Sequence, residues 1–333
     1  MKKKIALVTG GAGFIGSHVV DLLLEKKFKV IVVDDLSGGH INNIKHHLKN
    51  KNFHFVKKNI CNLKTKDLKV KQLDFTFHFA GKGDIVPSIV YPKEYFSTNL
   101  MGTINILEIS REFKIKKFLY AASSSCYGIA KTPTKETAKV DPLYPYALSK
   151  LMGEDAAIHW SKLFNIPTIS IRIFNAYGPR VKTTGAYGAV FGVFFKQKLS
   201  KKPFTLVGDG SQKRDFLHVR DVARAFFKAA NSKTNFNIFN LGAGKPQSIR
   251  SLIKILGGDY VKIPKRPGEP HKTWANISRI KKELKWEPEL SFDDGVREML
   301  KNINYWKNAP LWNIKKIKSA TKDWFKYMNK YKK

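Results

Sequence analysis

Acidic residues are scarce in this chain: 26 Asp and Glu stand against 61 Lys and Arg in 333 residues, a formal charge of +35. Cysteine is scarcer still. Cys61 and Cys126 stand alone, which excludes a disulfide framework and suits a reducing cytoplasm. No run of about twenty apolar residues occurs, so no membrane-crossing helix is expected. The start, Met1 to Val8, resembles the head of a leader peptide, but its apolar run stops at Thr9-Gly10-Gly11 and reads as a first strand. Internal repeats and low-complexity linkers are absent. The positive excess raises the question of a polyanion partner. Its lysines are dispersed in pairs such as Lys26-Lys27, Lys116-Lys117 and Lys281-Lys282, and no basic tail or aromatic-basic motif gathers them. The charge therefore reads as a solvated surface that attracts small anions, with neither nucleic acid nor membrane as the expected partner.

What is present is alternation. Lys4 to Val8 is a short apolar run suited to a buried parallel strand, and it enters Thr9-Gly10-Gly11-Ala12-Gly13-Phe14-Ile15-Gly16 before a helical pattern through Val19, Leu22 and Leu23. Strand, glycine turn and helix in that order make a pyrophosphate site at a helix N-terminus. A second strand, Val30 to Val33, ends in Asp34 about eighteen residues past Gly16, where a carboxylate would bond ribose hydroxyls and repel a 2′-phosphate. NAD is thus expected rather than NADP. Further strands are read at Phe53 to Val56, Leu73 to Phe79, Phe118 to Ala122 and Pro167 to Phe174, and helices at 92–113 and 144–164. The fold class is α/β, a doubly wound parallel sheet whose ligands lie at the strand C-terminal ends. Ala80-Gly81 and Ser123-Ser124-Ser125 fall at such ends.

Residues 1–175 are read as the dinucleotide-binding domain. From 176 to 310 the pattern loosens, with a glycine-rich stretch at 185–192 and a short strand at 204–207, into a smaller substrate lobe interleaved with the first. Residues 311–333 are read as a basic, aromatic-bearing helix packed on the surface. Arg214 and Arg266 are candidates to grip a diphosphate. His78 lies inside a strand and reads as a packed side chain; His40, His46, His47 and His54 share no ligand spacing with cysteine or acid, so no metal site is expected.

Tyr146 and Lys150 are four residues apart on a predicted helix and share a face. A cation beside a phenol lowers its pKa towards working pH and makes it a usable general base. Serines at 123–125 lie about twenty residues before this pair.

Taken together, these motifs resemble the NAD-dependent epimerase/dehydratase family of extended short-chain dehydrogenases/reductases. The resemblance rests on Thr9 to Gly16, Asp34, His78 to Gly81, Asn99, Ser123 to Gly128, Tyr146 to Lys150, Arg172 to Pro179, Arg214-Asp215-Phe216 and Arg266 to Glu269. It implies a Rossmann sheet that holds NAD through Gly10, Gly13, Phe14, Ile15, Gly16, Asp34, Ala80, Gly81, Asn99, Tyr146 and Lys150, with Asn59 and Ile60 at adenine. It implies a nucleotide-sugar substrate, UDP-linked, bound by Ser125, Asn175, Arg214, Arg266, Glu269 and Thr273, and a homodimer built on the helices at 92–113 and 144–164. In the family's chemistry Tyr146 removes the C4 hydroxyl proton, Ser123 bonds the reacting oxygen and Lys150 holds the cofactor ribose. Relatives that eliminate water carry an acid and a base after the first triplet position; Ser124 and Ser125 stand there, which favours a 4-epimerase. Dehydration and net oxidation at C4 remain the alternatives within the family. An idle NAD- or RNA-binding scaffold is the alternative outside it, against which the intact Ser123, Tyr146 and Lys150 speak. Thr273, small and near the sugar's C2 side by analogy, implies that N-acetylhexosamines are accepted as well as plain hexoses.

Overall fold

An apolar run with no polar alternation has to be buried on both faces, and runs such as Ala6 to Val8, Val30 to Val33 and Phe118 to Ala122 form the centre of this molecule. The computed structural model describes residues 3–181 and 190–331. Strands β1 (Ile5–Thr9), β2 (Lys29–Asp34), β3 (Phe53–Lys57), β4 (Phe75–His78), β5 (Lys117–Ser123) and β6 (Thr168–Ile173) enter one parallel sheet. The short strands β7 (Asn175–Tyr177), β8 (Phe204–Val207), β9 (Lys213–Arg214) and β10 (Phe216–His218) lie outside it. Then β11 (Ile238–Leu241) returns to it, giving the order β11-β6-β5-β4-β1-β2-β3. The glycine-rich stretch expected at 185–192 falls mostly outside the described residues.

Strand alternation divides the core. Ala6, Val8, Val30, Val32, Phe77 and Leu119 face helices α1 (Phe14–Glu25) and α7 (Val219–Asn231), taking α2 to α6 as the helices between them. Leu7, Ile31, Val33, Phe118 and Tyr120 face the opposite layer. That layer holds α2 (Ile85–Val90), α3 (Pro92–Phe96), α4 (Gly102–Glu112) and α5 (Pro145–Phe164). A third apolar cluster joins α6 (Val190–Leu199), β8, α8 (Ile249–Leu256) and α10 (Phe292–Lys301), with α9 (Ser278–Leu284) preceding the last in the chain.

Two departures from the sequence reading matter for the site. The helix expected at 92–113 is broken by a π turn at Ser97–Met101, which carries Asn99 inward. Here α5 comes so close that a Cβ on Gly153 would stand 2.6 Å from the Asn99 carbonyl oxygen and 2.3 Å from the Tyr120 hydroxyl oxygen, so the widened turn and the glycine accommodate each other. The end of the chain is two helices, α11 (Ile314–Ala320) and α12 (Lys322–Met328), rather than one. Asn313 starts α11 by accepting from the Lys316 amide, and the Thr321 hydroxyl, turned back on the Ile317 carbonyl at 2.8 Å, marks the break. Trp324 is fully buried and donates to the Pro267 carbonyl at 2.9 Å.

Helix α5 starts with Pro145 in its first turn, where a missing N–H costs nothing, and ends at Asn165 with φ +54°. It is fixed to the sheet by ionic contacts. The Glu154 carboxylate accepts from Arg172 Nε at 3.0 Å, Arg172 Nη2 at 2.5 Å and Ser170 Oγ at 2.6 Å, with both charged side chains buried. Removing one partner of such a pair strands the other charge. Arg172→Met is therefore expected to cost about 3–5 kcal/mol in urea unfolding, with part recovered in the Arg172→Met/Glu154→Gln double variant; a loss below about 1 kcal/mol for the single change, the usual worth of an exposed pair, contradicts this role.

Candidate active site

Because the strands are parallel, the C-terminal ends of β1, β2, β4, β5 and β6 open onto one edge of the sheet. The glycine turn after β1 is set there by the Gly10 amide, which donates to the Val33 carbonyl at 2.8 Å. Gly10 has φ +67°, and a Cβ on it would fall 2.6 Å from the Ala80 nitrogen, so only glycine fits between the two strand ends. Helix α1 begins at Gly13 with no side-chain cap, leaving its first amides to a ligand.

A cleft of about 630 Å³ runs along this edge. Gly10, Gly13, Phe14, Ile15, Gly16, Asp34, Asn59, Ile60, Ala80, Gly81, Ser123, Tyr146 and Lys150 all line it. Asn99 lies beneath: its Oδ1 accepts from the Lys82 amide at 2.7 Å, and its Nδ2 donates to the Lys82 carbonyl at 3.0 Å and to Ser149 Oγ at 3.0 Å. It shapes the Gly81–Lys82 wall rather than facing the cleft. Asp34 accepts from the Ala12 amide at 3.0 Å and the Leu36 amide at 2.8 Å, and burial pushes its carboxyl above the ordinary value. Asn59 is held at both ends, donating to Asp35 Oδ2 at 2.7 Å and accepting from the Cys61 amide at 2.9 Å. Both ends of the side chain that the resemblance set at adenine are thus engaged within the protein. His78 is fully buried between the Thr9 and Thr103 hydroxyls at 2.6 and 2.9 Å, and burial pulls its pKa down to about 3. It is a neutral packing residue.

Tyr146 and Lys150 meet in the cleft, but their electrostatics run opposite to the sequence-based expectation. Burial pushes the Tyr146 phenol up; the hydrogen bond with Ser123 pulls it back, and the charge of Asp84 adds to the rise. Burial also pulls Lys150 down to about 7, opposed by Glu154. The reason is packing: Lys150 Nζ sits 4.3 Å from the centre of the Tyr120 ring, in a layer with little water to solvate an ion. Burial thus disfavours the charged form of both groups, phenolate and ammonium alike.

Beyond Phe174, which borders both spaces, lies a second cavity of about 220 Å³. Ser125, Asn175, Arg214, Arg266, Glu269 and Thr273, separated by up to about 150 positions in the chain, all line it. Arg214 Nη2 donates to Glu269 Oε1 at 2.6 Å, and Arg266 Nη1 stands 4.0 Å from Glu269 Oε2. Thr273 Oγ1 donates to Asn175 Oδ1 at 2.7 Å and accepts from the Asp215 amide at 3.2 Å. Asp215 itself is fully buried, bonded to the amides of Ala243, Gly244 and Ala275, and its pKa is raised to about 6 by burial; it knots the loops around the cavity.

Three residues of this wall escaped the sequence reading. Tyr144 hydrogen-bonds Ser125 and lies parallel to Tyr146 with ring centres 6.3 Å apart. Trp324 packs on Tyr144 at 5.6 Å, and Ile317 lines the cavity. The chain end is thus part of the site. Tyr144 had one available signal, its position at the start of the Tyr146 helix; Trp324 and Ile317 had none, because only the fold brings them there.

The model of the NAD-dependent epimerase/dehydratase family matches residues 6–242. The UDP-glucuronate 4-epimerase of Thermodesulfobacterium geofontis is 35% identical, over 94% of this chain and 98% of the relative. Among solved structures, the UDP-N-acetylglucosamine 4-epimerase of Methanobrevibacter ruminantium aligns at 30% identity with a TM-score of 0.83, over 90% of this chain and 98% of the other. The UDP-glucose 4-epimerase of Thermotoga maritima aligns at 31% with a TM-score of 0.83, over 91% and 99%.

The Lys150 value has a measurable consequence. Folded, the group titrates near 7; its ordinary value is 10.5, so between those limits the unfolded chain holds a proton that the folded chain has released. Stability contributed by this site therefore rises with pH across that window and is flat and lowest below it. In urea titrations, the stability of the wild type relative to Lys150→Met is expected to climb from pH 7 towards 10. A difference independent of pH contradicts the burial argument.

Proposed function

The chain belongs to the NAD-dependent epimerase/dehydratase family, and from that membership we propose that it interconverts the C4 epimers of a UDP-linked hexose or N-acetylhexosamine. The uncapped α1 amides and the Asp34 carboxylate in the long cleft fit a dinucleotide with free ribose hydroxyls, and bound NAD supplies the acceptor and donor of the C4 hydride. Tyr146 takes the proton of the C4 hydroxyl as phenolate, and Ser123, already hydrogen-bonded to it, holds the same oxygen. Ionising the phenol favours the ammonium of Lys150, so the two groups share one proton's worth of charge across the cycle. Arg214 and Arg266 take the diphosphate, with Glu269 setting the direction of both guanidinium groups. In the return step the 4-ketosugar would turn its other face to the hydride held as NADH, while Tyr146 gives the proton back to the C4 oxygen.

One observation carries epimerisation over elimination. Among the described residues lining the smaller cavity, Glu269 is the sole carboxylate, and the two arginines engage it; Ser124 and Ser125 offer hydroxyls only. The two positions after Ser123, from which relatives that eliminate water supply an acid and a base, therefore hold neither here. With UDP-glucose, UDP-N-acetylglucosamine and UDP-glucuronate offered in turn, products of unchanged mass are expected; loss of water or accumulating NADH contradicts the reading. Tyr146→Phe should lower kcat by about 10²–10⁴-fold while still binding NAD. In the same assay Thr273→Tyr should reduce turnover of N-acetylated relative to plain substrate, and an unchanged ratio removes Thr273 from the specificity argument.

The protein works as a cytoplasmic homodimer in this reading. Leu148 and Met152, one turn apart on α5, and Met101 at the head of α4 leave apolar side chains 39%, 37% and 57% exposed on neighbouring helices, a surface suited to a four-helix seam. Its two thiols are unpaired, as a reducing compartment requires. Light scattering at micromolar concentration should return twice the chain mass; a monomer there refutes the seam.

A further inference from the structure

Outside the catalytic clefts, three metal-ligating side chains converge on one point. Asp21 lies on the outer part of α1. His46 and His47 come from a single 3-10 turn, Lys45–His47, on the segment that follows β2. His46 Nε2 stands 3.0 Å and His47 Nε2 2.7 Å from the same atom, Asp21 Oδ1. The two imidazole rings are 4.0 Å apart at their centres, and all three potential donor atoms lie within 4.8 Å of one another. The other carboxylate oxygen, Oδ2, is held by Arg180 Nη1 at 2.8 Å, which aims Oδ1 at the histidines.

A four-coordinate zinc ion with bonds of about 2.0–2.1 Å holds its ligand atoms about 3.3 Å apart. The present 2.7 and 3.0 Å separations need to open by only a few tenths of an ångström, which side-chain rotation supplies. We propose that Asp21, His46 and His47 bind a divalent transition metal of the zinc class. Two imidazoles and one carboxylate favour zinc, nickel or cobalt over magnesium or calcium, which take oxygen. Water fills the remaining position, or Glu25, one turn beyond Asp21 and 67% exposed in its side chain. Arg180 acts on the ligand carboxylate from outside the coordination sphere.

The site is structural. The segment bearing the histidines crosses the glycine turn, where the His40 amide and Asn43 Nδ2 both donate to the Ala12 carbonyl at 3.0 and 2.9 Å. A cation at its far end pins that crossing to α1 a second time, and through Arg180 it reaches the loop after β7. Occupancy thus raises the thermal unfolding midpoint without touching the reacting atoms.

The test uses the full chain, free of affinity tags and stripped of metal, titrated with cobalt(II) and then zinc(II). One cobalt ion per chain is expected, with the visible absorption of a four-coordinate imidazole site, displacement by zinc and a thermal midpoint raised by either ion. The His46→Gln/His47→Gln variant should bind at least tenfold more weakly and lose the midpoint gain. Its metal-free unfolding curve and NAD binding, compared with the wild type, verify that it is folded. Wild-type binding that needs millimolar cobalt overturns the proposal, as does equal binding by a folded double variant.

Discussion

Glu154 is the anion on which the geometry of the candidate site rests. Sealed between α5 and β6, it accepts hydrogen bonds from two nitrogens of Arg172 and from the Ser170 hydroxyl, and it is the charge that opposes the loss of the Lys150 proton to burial. One carboxylate thus places a helix and biases a titration. The network runs further. Arg172 Nη1 donates to the Tyr127 hydroxyl at 2.8 Å, and Tyr127 donates to Asn240 Oδ1 at 2.8 Å, which ties the turn after Ser123 to the same anchor. The turn after Ser123 and the helix that carries Tyr146 are therefore tied to one buried ion pair. Burying two ions is expensive, and charge-assisted bonds from a planar guanidinium are the means of offsetting that cost.

The smaller cavity has a different construction. Its charged groups come from β9 and the 264–270 loop, its floor from the turn after β5, and one wall from the chain end through Ile317, with Trp324 packed behind Tyr144. Glu269 stands between Arg214 and Arg266 and keeps two guanidinium groups from repelling each other; a diphosphate brings the same sign of charge to the same place. The formal charge of +35 extends this preference for anions over the whole surface of a protein short of acids.

The sheet was legible because its signals are local. Runs such as Val30 to Val33, bounded by turn residues, announce buried strands, and the glycines after β1 announce the turn that only they can form. The serine, tyrosine and lysine of the site were legible for the same reason, as side chains at strand ends and at helical spacing. Features made by contact between distant elements left no trace in the pattern. The π turn at Asn99 answers the close approach of Gly153, and the burial of Trp324 depends on a carbonyl 57 residues away. Asp21 meets His46 and His47 across 25 and 26 positions. The charge state of Tyr146 and Lys150 was misjudged because spacing gives proximity alone, whereas desolvation depends on everything packed around the pair.

The central claim is that Tyr146 works with a hydride that leaves C4 and comes back. It is tested most directly by following a nucleotide sugar deuterated at C4 through epimerisation in ordinary water. A hydride that is held by the cofactor and returned never mixes with solvent, so the account predicts that the product epimer retains deuterium at C4. Loss of the label to water would mean that the centre inverts by proton exchange instead, and would contradict the account.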